Sequence, residues 1–485
     1  MTSFSPEPEP ERLRVLAGFA HPDDETLTGG GILAWLARGA EVHVVTANRG
    51  ERGEVIPGDI AHLEGDGPAL AEVRVAELAG ALDALGVAGH TFLDALPGLT
   101  GRRRERYTDS GMQWDGDSRV RAIPDPAAGR DALTTQDSAV AARLLAAHIR
   151  RLRPHLVLSD EPGGGYGHPD HIRMHELMRR SLELAAEEQL EPMADDDPCA
   201  DLEPWRVPVA AWVVRPESSA RAAAAWLATT PSRPRLTSLG RALTVADPDA
   251  EMATIVRPDA QVDLVVDTAD VAGRVAAAMR AHRSQVQDAQ LLAEIDGESV
   301  EGYSERGGAL GWFALSNEVL QPFTAHVGLT VAPGWGSTTA LRGALAAAEP
   351  QQGSGEVSPV MVPGEDAEEV PAWYAVLMRA FTAVLGVVMA AATTAFHRWE
   401  PPFGLVLALL AIVASGTLSR SFADRLGVIV HAVAVAATVI ALAYVRPGGD
   451  VVVTDEAIGT IWLLGAVLMT AVPGLLPARW FRDGR

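Results

Sequence analysis

Four long apolar stretches in the last quarter of the sequence constrain the fold more than any other feature. They are Ala372 to Phe396, Phe403 to Leu418, Leu426 to Val445 and Ala457 to Leu476. Together they contain only Arg379 and His431 as charged or imidazole side chains. About 20 apolar residues cross the hydrocarbon core of a bilayer as a helix. We therefore predict an all-α membrane region of four transmembrane helices over residues 372–478. A soluble four-helix bundle is the alternative, but helices that are apolar all round are hard to cover in so small a bundle.

Arginines at the ends of these stretches predict the orientation of the region. One side carries Arg379, Arg420, Arg425, Arg479, Arg482 and Arg485, whereas the other carries only Arg398 and Arg446. Arginine-rich short loops stay on the cytoplasmic side. We therefore expect a multi-pass protein of the cell membrane with both termini cytoplasmic, including a basic tail over residues 479–485. The N-terminal residues lack the basic and apolar segments of a secretory signal, which agrees with a cytoplasmic start.

Short apolar runs alternate with helical patterns from Leu13 onward. The predicted strands are Val15 to Ala20, Val42 to Ala47, Thr91 to Leu93, Leu156 to Ser159 and Val209 to Val214, and the predicted helices include Ile32 to Arg38, Ala69 to Leu85 and Ser138 to Leu152. This alternation favours a parallel sheet with helices on both faces. We expect residues 13–335 to form an α/β domain with a Rossmann-like, doubly wound, mostly parallel sheet, after a disordered N-terminus over residues 1–12.

Two acidic segments contain no basic residue. Residues 187–204 include Glu-Glu and Asp-Asp-Asp and predict a solvated surface insertion, which contains the single cysteine, Cys199. Residues 349–371 are rich in Gly, Ser, Pro and acids and predict a flexible linker between the two regions.

Composition excludes several classes of function. The chain has 63 acidic and 40 basic residues and a net charge of -23, which argues against a nucleic-acid partner. All the basic residues are arginines, so Schiff-base chemistry, a Walker A loop and a protein-kinase site are excluded. A single cysteine excludes an intrachain disulfide and a cysteine-rich metal site.

Two motifs follow predicted strands directly. The first strand runs into Ala20-His21-Pro22-Asp23-Asp24-Glu25, and the fourth runs into a segment that ends Gly-Tyr-Gly-His-Pro-Asp-His at His171. In a sheet of order 3-2-1-4-5 these two strands are neighbours at the topological switch point. Their carboxyl ends therefore bring three histidines, six carboxylates and a tyrosine to one crevice.

This set of residues predicts a hydrolytic metal site. Two imidazoles and a carboxylate leave one position of a tetrahedral zinc ion open for water. We assign His21, Asp24 and His171 as ligands of one Zn²⁺ per chain, although the same donors also suit Fe²⁺.

The neighbouring side chains predict the proton transfers. Asp23 is expected to be the general base that takes a proton from the attacking water. His168 and Tyr166 are expected to donate hydrogen bonds to the developing oxyanion or to protonate the leaving group. Asp170 is expected to hold His168 by a hydrogen bond. Alone, His-Pro-Asp-Asp also suits a capped helix start, but two such motifs after two strands favour a site.

At these motifs the sequence resembles the PIG-L/LmbE-like family of metal-dependent N-acetylglucosaminyl deacetylases, which includes the phosphatidylinositol-glycan de-N-acetylases. The similarity covers about Leu13 to Pro333, including Asp109-Ser110-Gly111-Met112 and Ala314-Leu315-Ser316-Asn317, and it is strongest to the actinobacterial branch that makes and processes mycothiol. The resemblance implies the ligands and base given above. It also implies a small-molecule glycoside substrate, with Arg74 and Asp109 where family members hold the sugar and inositol hydroxyls. Thr28 and Met112 are further candidate substrate contacts.

The resemblance implies zinc-dependent hydrolysis of the N-acetyl group of N-acetylglucosaminyl-inositol, giving glucosaminyl-inositol and acetate in mycothiol biosynthesis. Related mycothiol S-conjugate amidases typically carry a lysine soon after the first motif, whereas this sequence reads Thr26-Leu27-Thr28. Three alternatives remain: such an amidase, a deacetylase of a lipid-linked N-acetylglucosamine, and a membrane transport or assembly module whose soluble domain is a sensor.

Overall fold

The computed structural model consists of two compact units, residues 1–363 and residues 364–485. The structure describes residues 12–98, 106–115, 121–192, 197–199, 202–295, 302–349, 360–361, 372–444 and 456–475. The predicted disordered segment 1–12, linker 349–371 and cytoplasmic tail 479–485 lie almost entirely outside the described residues.

The first unit combines short strands with helices of up to 19 residues. Its strands are β1 (Arg14–Phe19), β2 (Glu41–Thr46), β3 (Gly89–Phe92), β4 (Met112–Trp114), β5 (Ala122–Pro124), β6 (Leu156–Asp160), β7 (Val209–Pro216), β8 (Thr244–Val245), β9 (Val256–Arg257), β10 (Leu264–Asp267), β11 (Gln287–Leu291), β12 (Ala309–Ala314), β13 (Val319–Thr324), β14 (His326–Val331) and β15 (Val360–Met361). Its helices are α1 (Asp24–Leu27), α2 (Gly30–Leu36), α3 (Gly67–Leu85), α4 (Ser138–Leu152), α5 (Gly164–Gly167), α6 (Pro169–Ala186), α7 (Glu217–Thr229), α8 (Ala272–Ala281), α9 (Leu292–Ile295) and α10 (Thr338–Ala348).

The main sheet is mixed and has the strand order β15-β10-β14-β7-β6-β1-β2-β3, with β9 beside β7. β3, β2, β1, β6 and β7 are parallel neighbours, in the 3-2-1-4-5 order predicted for the five strands. β14 pairs antiparallel with β7, and β10 pairs antiparallel with β14 and β15. The pattern of the sequence predicts none of these antiparallel strands. β11, β12, β13 and β8 form a second sheet, and β4 pairs with β5.

Residues of β1 alternate between two hydrophobic cores. Val15, Ala17 and Phe19 contribute to the core that contains α2 and α8, whereas Leu16 and Ala20, the residue after β1, contribute to the core that contains α4 and α6. Successive side chains of a strand point to opposite faces. The sheet is therefore covered by helices on both sides, and the two cores fix the register at which the first motif leaves β1.

The first unit extends past the predicted domain end at residue 335. α10 begins after the cap residue Ser337, whose side chain accepts a hydrogen bond from the Ala340 amide at 3.2 Å. Leu341 and Leu345 are buried in the same core as β1. These apolar side chains make α10 part of the α/β unit.

The acidic insertion is exposed at residues 187–189 and 191–192, as predicted for a solvated segment, and departs from that prediction at Asp197 and Cys199. Residues 193–196 and 200–201 lie outside the described residues, but Asp197 and Cys199 are buried. Arg143 of α4 contacts the Asp197 carboxylate at 3.1 Å. Arg150 of the same helix donates to the Cys199 and Leu202 carbonyls, both at 2.8 Å. The two arginines provide partners that allow this part of the insertion to pack on α4, and burial raises the pKa of Cys199.

The second unit is helical. Its helices are α11 (Ala372–Phe396), α12 (Phe403–Tyr444), α13 (Ala457–Met469) and α14 (Val472–Leu475). Four segments are long and apolar enough to cross a membrane: Met378–Phe396, Phe403–Arg420, Gly427–Tyr444 and Ala457–Gly474. Large apolar side chains such as Leu410, Val433 and Leu468 are exposed on this unit.

The second and third predicted spans lie within the single element α12, which folds back on itself. The Ser415 hydroxyl lies 3.0 Å from Nε2 of His431. In a straight helix, residues 16 positions apart are separated by about 24 Å. The chain therefore reverses direction between these residues, so the two candidate spans are separate segments. The contact is a hydrogen bond between the two helical segments.

Candidate metal and catalytic site

Both motifs leave the carboxyl ends of adjacent parallel strands. Gly18 of β1 pairs with Ser159 of β6. β1 leads into His21 and the short helix α1, whereas β6 leads through the glycine-rich turn into α6, which begins at Pro169. The predicted ligands and proton donors therefore lie within a few residues of the same sheet edge.

The three predicted ligand atoms form a nearly equilateral triangle. Nδ1 of His21 lies 3.2 Å from Nε2 of His171 and 3.5 Å from Oδ2 of Asp24, and the last two atoms are 3.3 Å apart. Atoms bound at about 2.0 to 2.2 Å by a tetrahedral ion lie roughly 3.3 to 3.6 Å apart. The geometry therefore fits a tetrahedral divalent metal. The ligand atoms of His21, His168 and His171 also lie close enough together to hold an ion, as do those of His21, Asp109 and Asp170.

In His21 and His171, the ring nitrogen that points away from the triangle faces a buried carboxylate. Nε2 of His21 lies 3.2 Å from Oδ2 of Asp170, an oxygen that also accepts from the Asn48 side chain at 2.9 Å and the Ser110 amide at 3.0 Å. Nδ1 of His171 lies 3.9 Å from Oδ2 of Asp160, and within the described part of the chain both atoms are buried without a hydrogen-bond partner. These contacts leave Nδ1 of His21 and Nε2 of His171 facing each other and Asp24.

The prediction that the Asp170 carboxylate holds His168 by a hydrogen bond is wrong. The Asp170 side chain turns toward His21, and only its backbone amide meets His168, donating to Nδ1 at 3.2 Å. His168 is the cap residue of α6, where an acceptor is needed for a free amide of the first turn. This cap, rather than the carboxylate, orients the His168 ring.

His168 is a neutral hydrogen-bond donor in this environment. Burial, together with the neighbouring rings of His21 and His171, holds the pKa of His168 well below its usual value. Because Nδ1 accepts the Asp170 amide, the proton of the neutral ring resides on Nε2. The ring can therefore offer one N–H to a carbonyl oxygen.

Tyr166 is positioned by a turn that only glycine accommodates easily. Gly164 and Gly165 have φ angles of 65° and 73°, and the Glu161 carboxylate accepts from the Gly165 amide at 3.0 Å. The Tyr166 ring lies 5.5 Å from that of His171 and 5.7 Å from that of Trp114. Burial, and then the negative charge of Asp24 and Asp23, raises the pKa of Tyr166 well above its usual value, so the hydroxyl stays protonated.

Asp23 has a backbone conformation that is rare for a residue with a side chain. Its φ angle is 124°, and such geometry is associated with functional sites. Its carboxylate lies 3.0 Å from the Arg74 guanidinium. Burial raises the pKa of Asp23 to about 7, while Arg74 opposes the rise. A carboxylate with such a pKa suits a general base near neutral pH.

The residues predicted to bind substrate occupy three different environments. Arg74 is buried behind Asp23 and also donates to the Gly50 carbonyl at 2.9 Å. Asp109 lies 3.7 Å from Nε2 of His21, and Met112 follows it at the start of β4. Thr28, at the end of α1, lines a cleft whose lining includes none of the three predicted ligands. The structure thus brings Arg74 and Asp109 to the site and places Thr28 beside another cleft.

The two motifs do not indicate that Asn48 and Ser110 contact Asp170, or that Glu25 contacts His282. Asn48 follows β2, which neighbours β1, so its place after a strand is a usable signal. His282 contacts Glu25 through Nε2 at 2.7 Å although the two residues are 257 positions apart. Neither residue spacing nor periodicity indicates such a contact.

Comparison with known proteins gives a consistent result. The family model described as PIG-L, GlcNAc-PI de-N-acetylase, matches residues 16–182. A Kineococcus radiotolerans protein named 1D-myo-inositol 2-acetamido-2-deoxy-alpha-D-glucopyranoside deacetylase is 42% identical over 275 residues, which cover 56% of this chain and 69% of the relative. A protein of the same name from Streptomyces avermitilis is 37% identical over 315 residues, or 64% of this chain and 89% of the relative.

Among solved structures, the chain is similar to the N,N'-diacetylchitobiose deacetylase of Pyrococcus horikoshii. The TM-score is 0.37 and the sequence identity 18%, over 67% of this chain and 85% of that protein. A similarity of this size carries no further conclusion.

Proposed function

Because this chain belongs to the PIG-L family of N-acetylglucosaminyl deacetylases, we propose that it hydrolyses the acetamide of N-acetylglucosaminyl-inositol, releasing acetate and glucosaminyl-inositol in mycothiol biosynthesis. The observation that best supports this proposal is the triangle of His21, Asp24 and His171, which has sides of 3.2 to 3.5 Å and lies beside the partly buried carboxylate of Asp23. The parallel order of β3, β2, β1, β6 and β7 supports a Rossmann-like classification of the domain.

His21, Asp24 and His171 would hold the metal, which we propose to be Zn²⁺, with Fe²⁺ as the alternative for the same donors. A divalent ion there supplies a water of lowered pKa and polarises the acetyl carbonyl. The Asp170 carboxylate forms a hydrogen bond with Nε2 of the His21 ring. This contact orients Nδ1 of His21 toward the metal position.

The protein side chains carry the proton transfers. Asp23 takes the proton of the water that attacks the acetyl carbon. Nε2 of His168 and the Tyr166 hydroxyl donate hydrogen bonds to the carbonyl oxygen as its negative charge develops. The C–N bond then breaks, the glucosamine nitrogen leaves with a proton, and the acetyl group departs as acetate.

Substrate contacts follow from the position of each side chain. Asp109 and Met112 lie on the segment beside the site and are proposed to contact the sugar or the inositol. The Arg74 guanidinium already contacts Asp23 and the Gly50 carbonyl. We therefore propose that Arg74 holds Asp23 and that it contacts the substrate only next to Asp23. Thr28 stays a candidate contact for a group that extends into its cleft.

The second unit favours one other substrate. Four helices apolar enough to cross a membrane would place the domain at a lipid surface, where a lipid-linked N-acetylglucosamine is accessible. We propose that the chain is anchored in the cell membrane with the catalytic domain and both termini in the cytoplasm, as the arginine distribution favours. Arg446, Arg479, Arg482 and Arg485 lie outside the described residues.

Paired substrates test this proposal. Acetate or amine release by the purified full-length protein in detergent is measured on N-acetylglucosaminyl-inositol, a mycothiol S-conjugate and a lipid-linked N-acetylglucosamine. We expect the highest kcat/KM on N-acetylglucosaminyl-inositol. Preference for the lipid-linked sugar would transfer the assignment to that substrate, and preference for the conjugate would establish an amidase.

A further inference from the structure

The conformation of Asp23 is held by its neighbour Glu25. The backbone N–H of Asp23 donates to Oε2 of Glu25 at 2.9 Å. A non-glycine residue at a φ of 124° is strained and persists only when its surroundings hold it there. The Glu25 carboxylate, fully buried, is the group that accepts the Asp23 amide.

Glu25 is held in turn by a histidine from a distant part of the chain. Oε1 of Glu25 accepts from Nε2 of His282 at 2.7 Å and from the Thr26 hydroxyl at 2.6 Å. His282 is completely buried at the end of α8. Burial opposes its charged form, but the facing Glu25 carboxylate raises the pKa of His282 overall. The two side chains therefore form a buried charge-assisted hydrogen bond.

The segment after His282 forms hydrogen bonds with α3, the helix whose Arg74 contacts the Asp23 side chain. The amide and hydroxyl of Ser284 donate to the Glu77 carboxylate at 2.9 and 2.6 Å. Glu77 lies one turn after Arg74 on α3, and Arg74 contacts the Asp23 carboxylate at 3.0 Å. A closed network thus holds both the backbone and the carboxylate of Asp23.

We propose that His282 is a positioning residue for catalysis, because it fixes Glu25 as the acceptor that keeps Asp23 in its strained conformation and directs the Asp23 carboxylate. This inference rests on the proposed role of Asp23 as general base. His282 itself does not touch the substrate. Without its N–H, the buried Glu25 carboxylate loses a strong donor, and Asp23 is free to relax to an ordinary backbone conformation.

The test compares His282→Asn with His282→Gln in the full-length protein. The glutamine amide can reach the position of Nε2, whereas the shorter asparagine amide cannot. Misplacing a catalytic group by about 1 Å through a change outside the reacting groups can cost about 100-fold in rate, so a partial displacement of Asp23 should cost about 10- to 100-fold. We expect kcat to fall by this factor in His282→Asn, with KM and bound metal unchanged, and to recover in His282→Gln.

A second readout does not depend on turnover. Hydrogen exchange, followed by mass spectrometry of the peptide that contains Asp23, should be faster in His282→Asn than in the parent or in His282→Gln. His155→Asn is the matched control, because His155 precedes β6 at the opposite end of the strand from the site. It should leave both kcat and exchange of that peptide unchanged.

The outcomes separate this inference from the proposed function. Equal kcat and equal exchange in the asparagine and glutamine variants would overturn the positioning role, as would an equal loss in His155→Asn. If the parent protein releases no acetate, the proposed function fails, and the exchange experiment alone decides whether His282 holds Asp23.

Discussion

The carboxylate of Asp170 lies 3.2 Å from Nε2 of His21, so the other nitrogen of that ring faces His171 and Asp24. Replacing Asp170 by asparagine removes the negative charge that favours this orientation and the basicity of Nδ1. We expect metal affinity, measured by competition with a chelator, to fall about 10- to 100-fold. Asp137→Asn, at the cap of α4, is the control. Unchanged affinity in Asp170→Asn would refute the orienting role.

Arg74 should control the pH at which the base becomes active. Its positive charge lowers the pKa of Asp23 against the effect of burial. In Arg74→Met the pKa of Asp23 should rise, so Asp23 stays protonated to a higher pH. The acidic limb of the kcat/KM profile should therefore shift to higher pH. Arg74→Lys keeps a charge and should shift the limb less. If the acidic limb stays at the same pH in Arg74→Met, that limb does not report the protonation of Asp23.

The glycine turn before Tyr166 should tolerate no side chain. A Cβ at Gly164 would lie 2.7 Å from Cγ1 of Ile172 and 2.9 Å from its backbone nitrogen, at a φ of +65°. We expect Gly164→Ala to destabilise the protein by about 1 to 3 kcal/mol and to lower kcat by displacing Tyr166.

Gly273 in α8 provides the matched control for that substitution. A Cβ added at Gly273 would meet no atom of the described residues within 4 Å, and the φ of this glycine is not positive. Gly273→Ala should stabilise the protein by about 0.4 to 1 kcal/mol. Thermal unfolding of both variants checks the pair, and equal effects would contradict the steric explanation.

Membrane attachment should depend on the second unit. We expect the full-length protein to sediment with membranes and to resist extraction by high salt, because burial of the four apolar segments does not depend on charge. Detergent should release it. Recovery in the salt-soluble fraction would instead favour the soluble four-helix bundle.

Local patterns predict the parallel part of the fold because each βα unit has its own signature. The strand predicted from the apolar run Val15 to Ala20 and the helix predicted over Ser138 to Leu152 are confirmed by β1 and α4. The sequence does not predict β10 and β14, since their pairing is decided by contacts with β7 across the chain. It does not predict burial within the acidic insertion either, because the partners Arg143 and Arg150 belong to a distant helix.

In the site, too, local motifs predict some residues, whereas contacts between distant segments decide the position of others. His21, Asp24 and His171 stand in short motifs after strands, so sequence alone indicates that they meet. The direction of the Asp170 side chain depends on Asn48 and Ser110, which approach it from other segments. The contact of Glu25 with His282 likewise requires the folded chain.

The substitution Asp23→Asn tests whether Asp23 is the general base of a metal-dependent deacetylase. Acetate release from N-acetylglucosaminyl-inositol and bound metal are measured together on the full-length protein. Loss of a general base costs about 10²- to 10⁴-fold in rate. We predict a fall of that size in kcat with metal content unchanged. A variant that turns over as fast as the parent, with its metal bound, would show that Asp23 is not the base.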